Sequence, residues 1–244
     1  GEQAIGGKLP VTLPGLAALG EGLDLQRRAL ELVPTAPLAA EAAGFRAEGL
    51  AEVDRVIERY IERRAFPGAV IAIGRKGKIA HLKAFGHLSY DKGAAPTQPD
   101  TIYDIASLTK VVVTTTLTMA MVDDGRLDLD APVQSFLPLF QGANKEKVTV
   151  RHLLTHSSGI DWWAPLYREA RGQREFLGRI CAMPLVAEPG TQVKYSDLGI
   201  LLLGEILERV SGRPRAALAR GRLFGPLGLQ RTAYNPSPEL FTNL

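Results

Sequence analysis

Two neighbouring segments with strand character are followed by a long stretch whose hydrophobic pattern is almost entirely helical. GAVIAIG and KIAHLKAFG are joined by RKGK around Gly77, which predicts an antiparallel hairpin. The segment TIYDIA predicts a third, short strand that runs up to Ser107. Because two or three strands offer many helices little surface to pack on, the sequence predicts an α/β (α+β) fold whose last strands are missing from these 244 residues.

The predicted helices carry recognisable start and end signals. In AEVDRVIERYIERRA the apolar residues recur at helical spacing. A long helix is predicted from Leu108 to Asp124, with Gly125 as its left-handed cap. The other predicted boundaries are a cap at Asp130 with Pro132 in the first turn, a helix start near Thr149, a turn at Pro189-Gly190 and a helix that ends before Gly212.

The first 47 residues differ from the rest of the chain. Residues 1–25 are rich in glycine and proline and show no sustained period, which is typical of extended or loop structure. LQRRALELV predicts a short helix, and PTAPLAAEAAG is typical of a linker. The sequence therefore predicts the tail of a preceding domain at 1–25, a linker with a short helix at 26–47 and the main domain at 48–244.

The composition argues against several classes of protein. The net charge of +3 is small and scattered, which does not favour nucleic-acid binding. Cys181 is the one cysteine, so no intrachain disulfide can form. The longest weakly polar run, VVVTTTLTMAMV, is too short to cross a bilayer and predicts a buried helix. GEQAIGGKLP lacks the charged and apolar regions of a signal peptide, and the compartment stays open.

Two serines stand three residues ahead of a lysine, which is the spacing of nucleophile and base in one large class of serine hydrolases. Ser89 and Lys92 lie in GHLSYDKGAAPTQP, where glycine and proline oppose a helix, so SYDK predicts a surface turn. Ser107 and Lys110 lie where a strand-like segment meets the long helix. Residues three apart share a helix face, so the Lys110 ammonium can reach the Ser107 hydroxyl.

The start of this helix also suits acyl transfer. First-turn N–H groups can stabilise an oxyanion on an attacked carbonyl. The same positive helix end, together with burial, predicts that Lys110 is neutral near pH 7 and acts as a base. The stretch SLTK by itself is explained equally well by a serine that caps an ordinary helix bearing a lysine.

Tyr195 is a further candidate. In YSDLG it stands just before a predicted buried helix, with Asp197 two residues on, and no other of the six tyrosines has Asp or Asn at that spacing. A buried phenol beside a lysine can relay protons between a serine and a leaving group. The alternative is a half-buried core tyrosine.

The histidines of VTVRHLLTHSSGI form no recognisable catalytic motif. His152 and His156 are four residues apart, but no glutamate stands between them as in HExxH metalloproteases, so we predict neither a metal site nor a cofactor. Ser157 adjoins His156, yet adjacent side chains diverge, and the sequence has no G-x-S-x-G elbow.

Four motifs, in this order, resemble those of the serine β-lactamase and penicillin-binding-protein superfamily, in its class C and family VIII esterase-like branch. They are SLTK at 107–110, LLTHSSGI at 153–160, EPGTQVKYSD at 188–197 and PLGL at 226–229, and the likeness covers about residues 48–244. The resemblance implies a β-lactamase/transpeptidase-like fold, with an antiparallel sheet flanked by helices, a helical subdomain and an active site between them.

The resemblance also implies roles for individual residues. Ser107 would be the acylated nucleophile, Lys110 its base and Tyr195 the second proton-transfer group, while the N–H of Ser107 would form half of the oxyanion hole. LLTHSSGI would frame the site, so His156 is not implied as catalytic.

The sequence departs from this family's pattern in two ways. Asp197 stands where the lactamase pattern Y-x-N has an amide, and an ionised aspartate cannot donate a hydrogen bond to a β-lactam side-chain carbonyl. This departure favours an esterase or a DD-peptidase over antibiotic hydrolysis. The third motif of the family, K-T-G or H-x-G on a late strand, does not occur in these 244 residues.

Residues 1–25 have a resemblance of their own, to the C-terminal end of a family 3 glycoside hydrolase, where a G-K-L-P-V-T-x-P stretch closes the second domain. This resemblance implies a polypeptide that fuses a glycosidase with the hydrolase and acts on cell-wall material. It favours a periplasmic or secreted location.

Three functional hypotheses follow. The first is a serine hydrolase that forms an acyl-enzyme on Ser107 with an ester, a β-lactam or a cell-wall peptide. The second is a non-catalytic accessory domain that binds peptidoglycan peptides beside a fused glycosidase. The third is an inactive fragment that needs a missing C-terminal partner and self-associates through an open sheet edge. The expected partner is a small-molecule or peptidoglycan-derived substrate.

Overall fold

The structure, a computed structural model, describes residues 5–8, 22–25, 37–75 and 77–237. It divides into two compact units, Gly1–Pro99 and Asp100–Leu244. The first unit combines hairpins with one long helix, and the second is built from helices. Within the described ranges, no helix is long and apolar enough to cross a membrane.

The first hairpin of the first unit lies close to the start of the chain. Strand β1 (Ile5–Lys8) pairs antiparallel with β2 (Gly22–Leu25), so that Ile5 lies opposite Leu25. The predicted helix LQRRALELV is wrong at its first residue, because Leu25 takes part in this pairing. Its remaining residues lie outside the described part of the chain, and the division into 1–25, 26–47 and 48–244 stays a prediction.

The second hairpin confirms the predicted strand pair. Strands β3 (Gly68–Arg75) and β4 (Lys78–Gly86) pair antiparallel, with a register shift after Ile73. Gly77 has a φ of 73° in the turn, a conformation that glycine adopts without steric cost. The predicted first helix is also confirmed, as α1 (Ala47–Glu62), and a 3₁₀ turn at Glu41–Ala43 precedes it.

Asp54 links α1 to the hairpin. Its carboxylate accepts hydrogen bonds from His81 Nε2 and Lys83 Nζ of β4, both at 2.7 Å. Burial opposes the ionised carboxylate, but the bonds from Lys83 and His81 outweigh this effect and lower the pKa of Asp54. Asp54 of α1 therefore attaches this helix to strand β4 of the hairpin.

The SYDK stretch forms the predicted surface turn. Ser89 Oγ donates to Asp91 Oδ2 at 2.7 Å and accepts from the Asp91 N–H at 3.1 Å. The Leu88 N–H donates to the Ala95 carbonyl across the turn at 2.9 Å. Ser89 is thus engaged with an aspartate of its own turn, as turn-forming serines commonly are.

The second unit packs its helices around one helix that is buried on almost every side. This helix is α5 (Asp197–Ser211). Five of its apolar residues are almost completely buried: Leu198, Leu202, Leu203, Ile206 and Leu207. The helices in chain order are α2 (Thr116–Asp123), α3 (Val150–Leu154), α4 (Gln173–Ala182), α5 (Asp197–Ser211) and α6 (Arg215–Ala219). Shorter turns are π-helical at Lys110–Thr115 and Arg220–Phe224, and 3₁₀ at Val133–Ser135, Lys145–Lys147 and Leu166–Arg168.

Most predicted helix boundaries are confirmed. The long helix runs from Leu108 through α2, and Gly125 follows it with a φ of 68°. The Thr149 hydroxyl accepts from the His152 N–H and caps α3. Gly212 ends α5 in the left-handed conformation.

Two predictions about the second unit are wrong. The segment TIYDIA forms no strand, since residues 101–105 are irregular, and the β-pairing in the described residues from 100 to 237 is limited to an isolated bridge between Pro132 and Thr149. Asp130 does not cap a helix, because its carboxylate accepts hydrogen bonds from both Nε and Nη2 of Arg151. The segment after Pro132 forms only a 3₁₀ turn. For Asp130, a partner 21 residues away in the sequence decides the outcome.

The long helix begins with a π-helical turn, which the sequence pattern did not predict. The Thr115 hydroxyl donates to the Lys110 carbonyl at 2.9 Å, and the Thr116 hydroxyl donates to the Val111 carbonyl at 3.1 Å. Both bonds span five residues and occupy carbonyl groups in the wider turn. π-Helical turns of this kind are frequent at functional sites.

The LLTHSSGI segment is held by backbone bonds to residues 186–190. The Val186 N–H donates to the Gly159 carbonyl and the Gly190 N–H to the Ser157 carbonyl, both at 2.8 Å. Gly159 has a φ of 76°, and a Cβ atom there would lie 2.1 Å from the Ala187 carbonyl oxygen. No other residue fits at this position without a backbone shift, so the glycine fixes the approach of the two segments.

Candidate active site

Ser107 lies at the first turn of the long helix. The residue before it, Ala106, has a φ of 42°, which costs an alanine about 1 kcal/mol. The Asp104 carboxylate supports this turn by accepting from the Ala106 N–H at 2.8 Å. Among the described residues none accepts a hydrogen bond from the Ser107 N–H, so this donor is open to an incoming oxyanion.

The Lys110 ammonium group connects the serine with a carboxylate. Lys110 Nζ donates to Ser107 Oγ at 2.9 Å and lies 2.7 Å from Asp197 Oδ1. The second contact is an ion pair whose angle falls short of a good hydrogen bond, and no other described residue bonds to this buried oxygen atom. Asp197 is the first residue of α5, where the helix dipole favours a negative charge.

Tyr195 completes the cluster. Its ring lies beneath Lys110 Nζ, at 5.0 Å from nitrogen to ring centroid, and about half of the side chain is exposed. Hydrogen bonding to Lys110 and Ser107 lowers the pKa of the Tyr195 phenol, and the carboxylate of Asp197 works in the opposite direction. The phenol is therefore more acidic than a free tyrosine, and its ring lies next to the Lys110 ammonium.

The charge of Lys110 differs from the sequence prediction. Burial favours the neutral amine, but the contact with Asp197 and the bond to Tyr195 outweigh it and raise the pKa of Lys110 above its usual value. The prediction of a neutral Lys110 near pH 7 is therefore wrong for this arrangement. Its physical reason is the carboxylate of Asp197, which lies far away in the sequence and next to Nζ in the structure.

The segment that carries Tyr195 is held on both sides of the tyrosine. The Lys194 N–H donates to the His156 carbonyl at 2.8 Å, and the Ser196 N–H donates to His156 Nδ1 at 3.1 Å. The His156 ring itself stacks on the Tyr195 ring, with 4.7 Å between centroids. From the sequence, His156 was expected only to belong to the segment that surrounds the site. Its contacts with the segment that carries Tyr195 become visible only in the folded structure.

A loop with exposed aromatic side chains borders this cluster. The Asp197 N–H donates to the Trp162 carbonyl at 2.9 Å, and the buried Ser196 hydroxyl donates to the Asp161 carbonyl at 2.7 Å. Trp162, Trp163 and Tyr167 follow one another with ring centroids 5.8 Å and 6.5 Å apart and are between 41% and 63% exposed. These rings are available to apolar or planar groups near the site.

The structure thus brings together all four site residues that the sequence singled out: Ser107, Lys110, Tyr195 and Asp197. The arrangement holds a hydroxyl, an ammonium, an acidified phenol and an open N–H donor within one cluster. These are the parts that nucleophilic acyl transfer requires. Within the described ranges, no group of three or more His, Cys, Asp or Glu side chains is placed to hold a metal ion.

Comparison with known proteins finds relatives that cover most of this chain. The chain is 33% identical over 224 residues to an N-acetylmuramyl-L-alanine amidase of Bacillus subtilis, covering 83% of this chain and 50% of that protein. It is 32% identical over 211 residues to esterase EstB of Burkholderia gladioli, covering 78% of this chain and 53% of the esterase. The chain therefore spans about half the length of these curated relatives.

A solved structure of a hydrolase shares the fold of this chain. EstCE1, described as a hydrolase with promiscuous acyltransferase activity, superposes with a TM-score of 0.70 at 27% identity, over 79% of this chain and 55% of that chain. The antiparallel sheet with helices predicted from the sequence is therefore a β-lactamase/transpeptidase-like fold. Residues 53–243 match the family model described as Beta-lactamase, which agrees with the likeness seen over about 48–244. The chain belongs to the β-lactamase family.

Proposed function

We propose that this protein is a serine hydrolase that forms an acyl-enzyme on Ser107. The observation that carries the proposal is the 2.9 Å contact between Ser107 Oγ and Lys110 Nζ at the start of a helix, with the acidified Tyr195 phenol beside it. A capping serine with a solvent-directed lysine would have neither this contact nor the ion pair from Lys110 to Asp197. The amidase and esterase names of the relatives support the same reaction class.

In the proposed reaction Ser107 Oγ bonds to the carbonyl carbon while its proton passes to the Tyr195 oxygen. The Ser107 N–H donates to the developing oxyanion, and the Lys110 ammonium keeps the phenolate form of Tyr195 accessible. The bond to the leaving group then breaks as Tyr195 returns the proton to that group. Water attacks the acyl carbon by the same route, gives its proton to Tyr195 and releases the acid, and Ser107 regains its proton.

The substrates that we propose are an ester first and a D-Ala-type cell-wall peptide second, ahead of a β-lactam. Asp197 is engaged by Lys110 and carries no N–H that could hold an amide carbonyl of an antibiotic side chain. The bordering Trp162 and Trp163 rings are compatible with an apolar acyl or alcohol group.

The proposal is tested by intact-mass spectrometry of the protein before and after exposure to a fluorophosphonate and to a penicillin. We expect one fluorophosphonate adduct per chain, located on Ser107 by peptide mapping, and turnover of short p-nitrophenyl esters. Binding of peptidoglycan peptides without any adduct would instead support the accessory-domain hypothesis. Absence of both adduct and binding, with self-association in gel filtration, would support the inactive fragment.

The Asp197→Asn variant tests which group accepts the proton. Without the carboxylate the burial of Lys110 is opposed only by its contact with Tyr195 among the causes that raise its pKa, so the pKa of Lys110 falls and the ammonium is lost at lower pH than in the wild type. If Tyr195 accepts the proton beside a cationic Lys110, the alkaline limb of kcat/KM moves to lower pH.

The pH profile of Asp197→Asn would also reveal the alternative mechanism, in which Lys110 is the base. If a neutral Lys110 were the base, the variant would be faster than the wild type at neutral pH, and its acid limb would move to lower pH. Asp161→Asn is the matched control, because Asp161 pairs with Lys194 at 2.6 Å and has no contact with Lys110 among the described residues. We expect the pH profile of this control to be unchanged.

A further inference from the structure

The contacts of His156 point to a role that its place in the LLTHSSGI segment does not reveal. Lys194 and Ser196, the two neighbours of Tyr195 in sequence, both donate backbone N–H bonds to this one histidine. One bond goes to the His156 carbonyl and the other to its ring nitrogen Nδ1. The ring face also covers Tyr195 at 4.7 Å, so a single residue restrains the tyrosine from three directions.

From this geometry we infer that His156 is a positioning residue for Tyr195, and that it holds the phenol beside Ser107 only while its imidazole is neutral. The inference rests on the proposed function of Ser107 and Tyr195. It adds a group that controls the proton acceptor without touching the substrate.

The hydrogen bond from Ser196 fixes the protonation state that this role requires. Nδ1 can accept from a backbone N–H only through its lone pair, so the ring proton of a neutral His156 is on Nε2. Protonation of Nδ1 would place two N–H donors head to head and break the contact. Of its two bonds to His156, the segment carrying Tyr195 would then keep the one to the carbonyl, on its Lys194 side.

The surroundings of His156 favour the neutral form. Burial lowers the pKa of His156 first, and the Lys110 ammonium lowers it further. The Asp197 carboxylate acts in the opposite direction but does not prevail. The other charged groups along these two segments, Lys194 and Asp161, are paired with each other.

The backbone of His156 shows that this placement is imposed by the fold. Its φ is 56°, a left-handed conformation that a histidine adopts at a cost of about 1 kcal/mol. Asparagine tolerates the same conformation, and its side-chain oxygen can accept the Ser196 N–H. His156→Asn therefore keeps the backbone and the acceptor but removes the group that titrates.

The test is the second-order rate of fluorophosphonate labelling of Ser107 between about pH 4.5 and 9. In the wild type we expect the logarithm of the rate to fall with a slope of one below the pKa of Tyr195 and with a slope of two below that of His156. In His156→Asn the steeper region disappears, while the rate at pH 8 stays within a few-fold of the wild type. His87→Asn, a change of an exposed histidine in the first unit, should keep the steeper region.

A second variant separates positioning from titration. His156→Ala removes the acceptor and the ring, and the loss of one backbone anchor is expected to slow labelling about five- to tenfold at pH 8, with no steeper region at low pH. A steep acid region that persists in His156→Asn, or wild-type labelling by His156→Ala at pH 8, would overturn the inference. Failure of the wild type to label at all would instead overturn the proposed function.

A readout without activity completes the test. The proton NMR titration of the four histidines, with His156 assigned by its loss in His156→Asn, should show one imidazole that titrates below the usual histidine range. A His156 signal that titrates at or above that range would contradict a role as an obligatorily neutral acceptor. If His156→Ala does not fold, this measurement and the Asn variant still decide the question.

Discussion

Replacement of Ser107 by alanine is expected to lower the turnover of p-nitrophenyl esters by roughly 10⁴-fold or more and to abolish the fluorophosphonate adduct. The reason is that the variant removes the atom that forms the acyl bond, and loss of a catalytic serine by itself costs nearly as much as loss of the whole catalytic group. The site offers no substitute, because no other serine or threonine of the described residues accepts a hydrogen bond from Lys110 Nζ.

Ser89→Ala is the matched control for this experiment. Ser89 has the same spacing to a lysine in the sequence but bonds to Asp91 within a surface turn of the first unit. The control should retain wild-type turnover and a single adduct. Ester hydrolysis that survives in Ser107→Ala and is lost in Ser89→Ala would reverse the assignment of the nucleophile.

The second large effect is expected for Tyr195→Phe. This variant keeps the ring that packs between His156 and Lys110 and removes only the phenol oxygen. Because the phenol is the proposed proton carrier, we expect kcat to fall by about 10²- to 10⁴-fold. The thermal unfolding midpoint should change little, since the side chain is half exposed and its stacking contacts remain.

The pH profile of Tyr195→Phe distinguishes loss of the proton carrier from a structural defect. The acid limb attributed to the Tyr195 phenol should be missing from its residual activity. Tyr90→Phe serves as the control, because Tyr90 is an exposed tyrosine of the first unit whose ring faces the Arg64 guanidinium. Wild-type kcat in Tyr195→Phe would show that Lys110 or water carries the proton instead.

The local parts of the fold were predictable because they depend on short-range chemistry. Gly125 and Gly212 end helices in the left-handed conformation, and Thr149 caps α3, as their residue types require. TIYDIA has an apolar pattern compatible with a strand, but a strand needs a paired neighbour, and nothing local specifies one. The same limit applies to Asp130, which binds Arg151 rather than the next helix start.

The candidate site shows the same division between local and distant information. Residue type and spacing singled out Ser107, Lys110 and Tyr195, because residues three apart share a helix face and a helix start orients the residue just before it. The charge of Lys110 was not predictable, since it depends on Asp197, which reaches Nζ only after α5 has packed. The hydrogen bonds from both sequence neighbours of Tyr195 to His156 were likewise not predictable, since they join two segments that meet only in the folded chain.

The loop that borders the site has an optical consequence. The chain has two tryptophans, and both, Trp162 and Trp163, lie in this loop, with the Trp162 carbonyl bonded to the first residue of α5. The indole fluorescence of these 244 residues therefore originates in this loop, from residues that are about half exposed to water. If Ser107 is acylated as proposed, an acyl group that covers these rings would shift their emission to shorter wavelength, and the reaction could then be followed in real time with unlabelled protein.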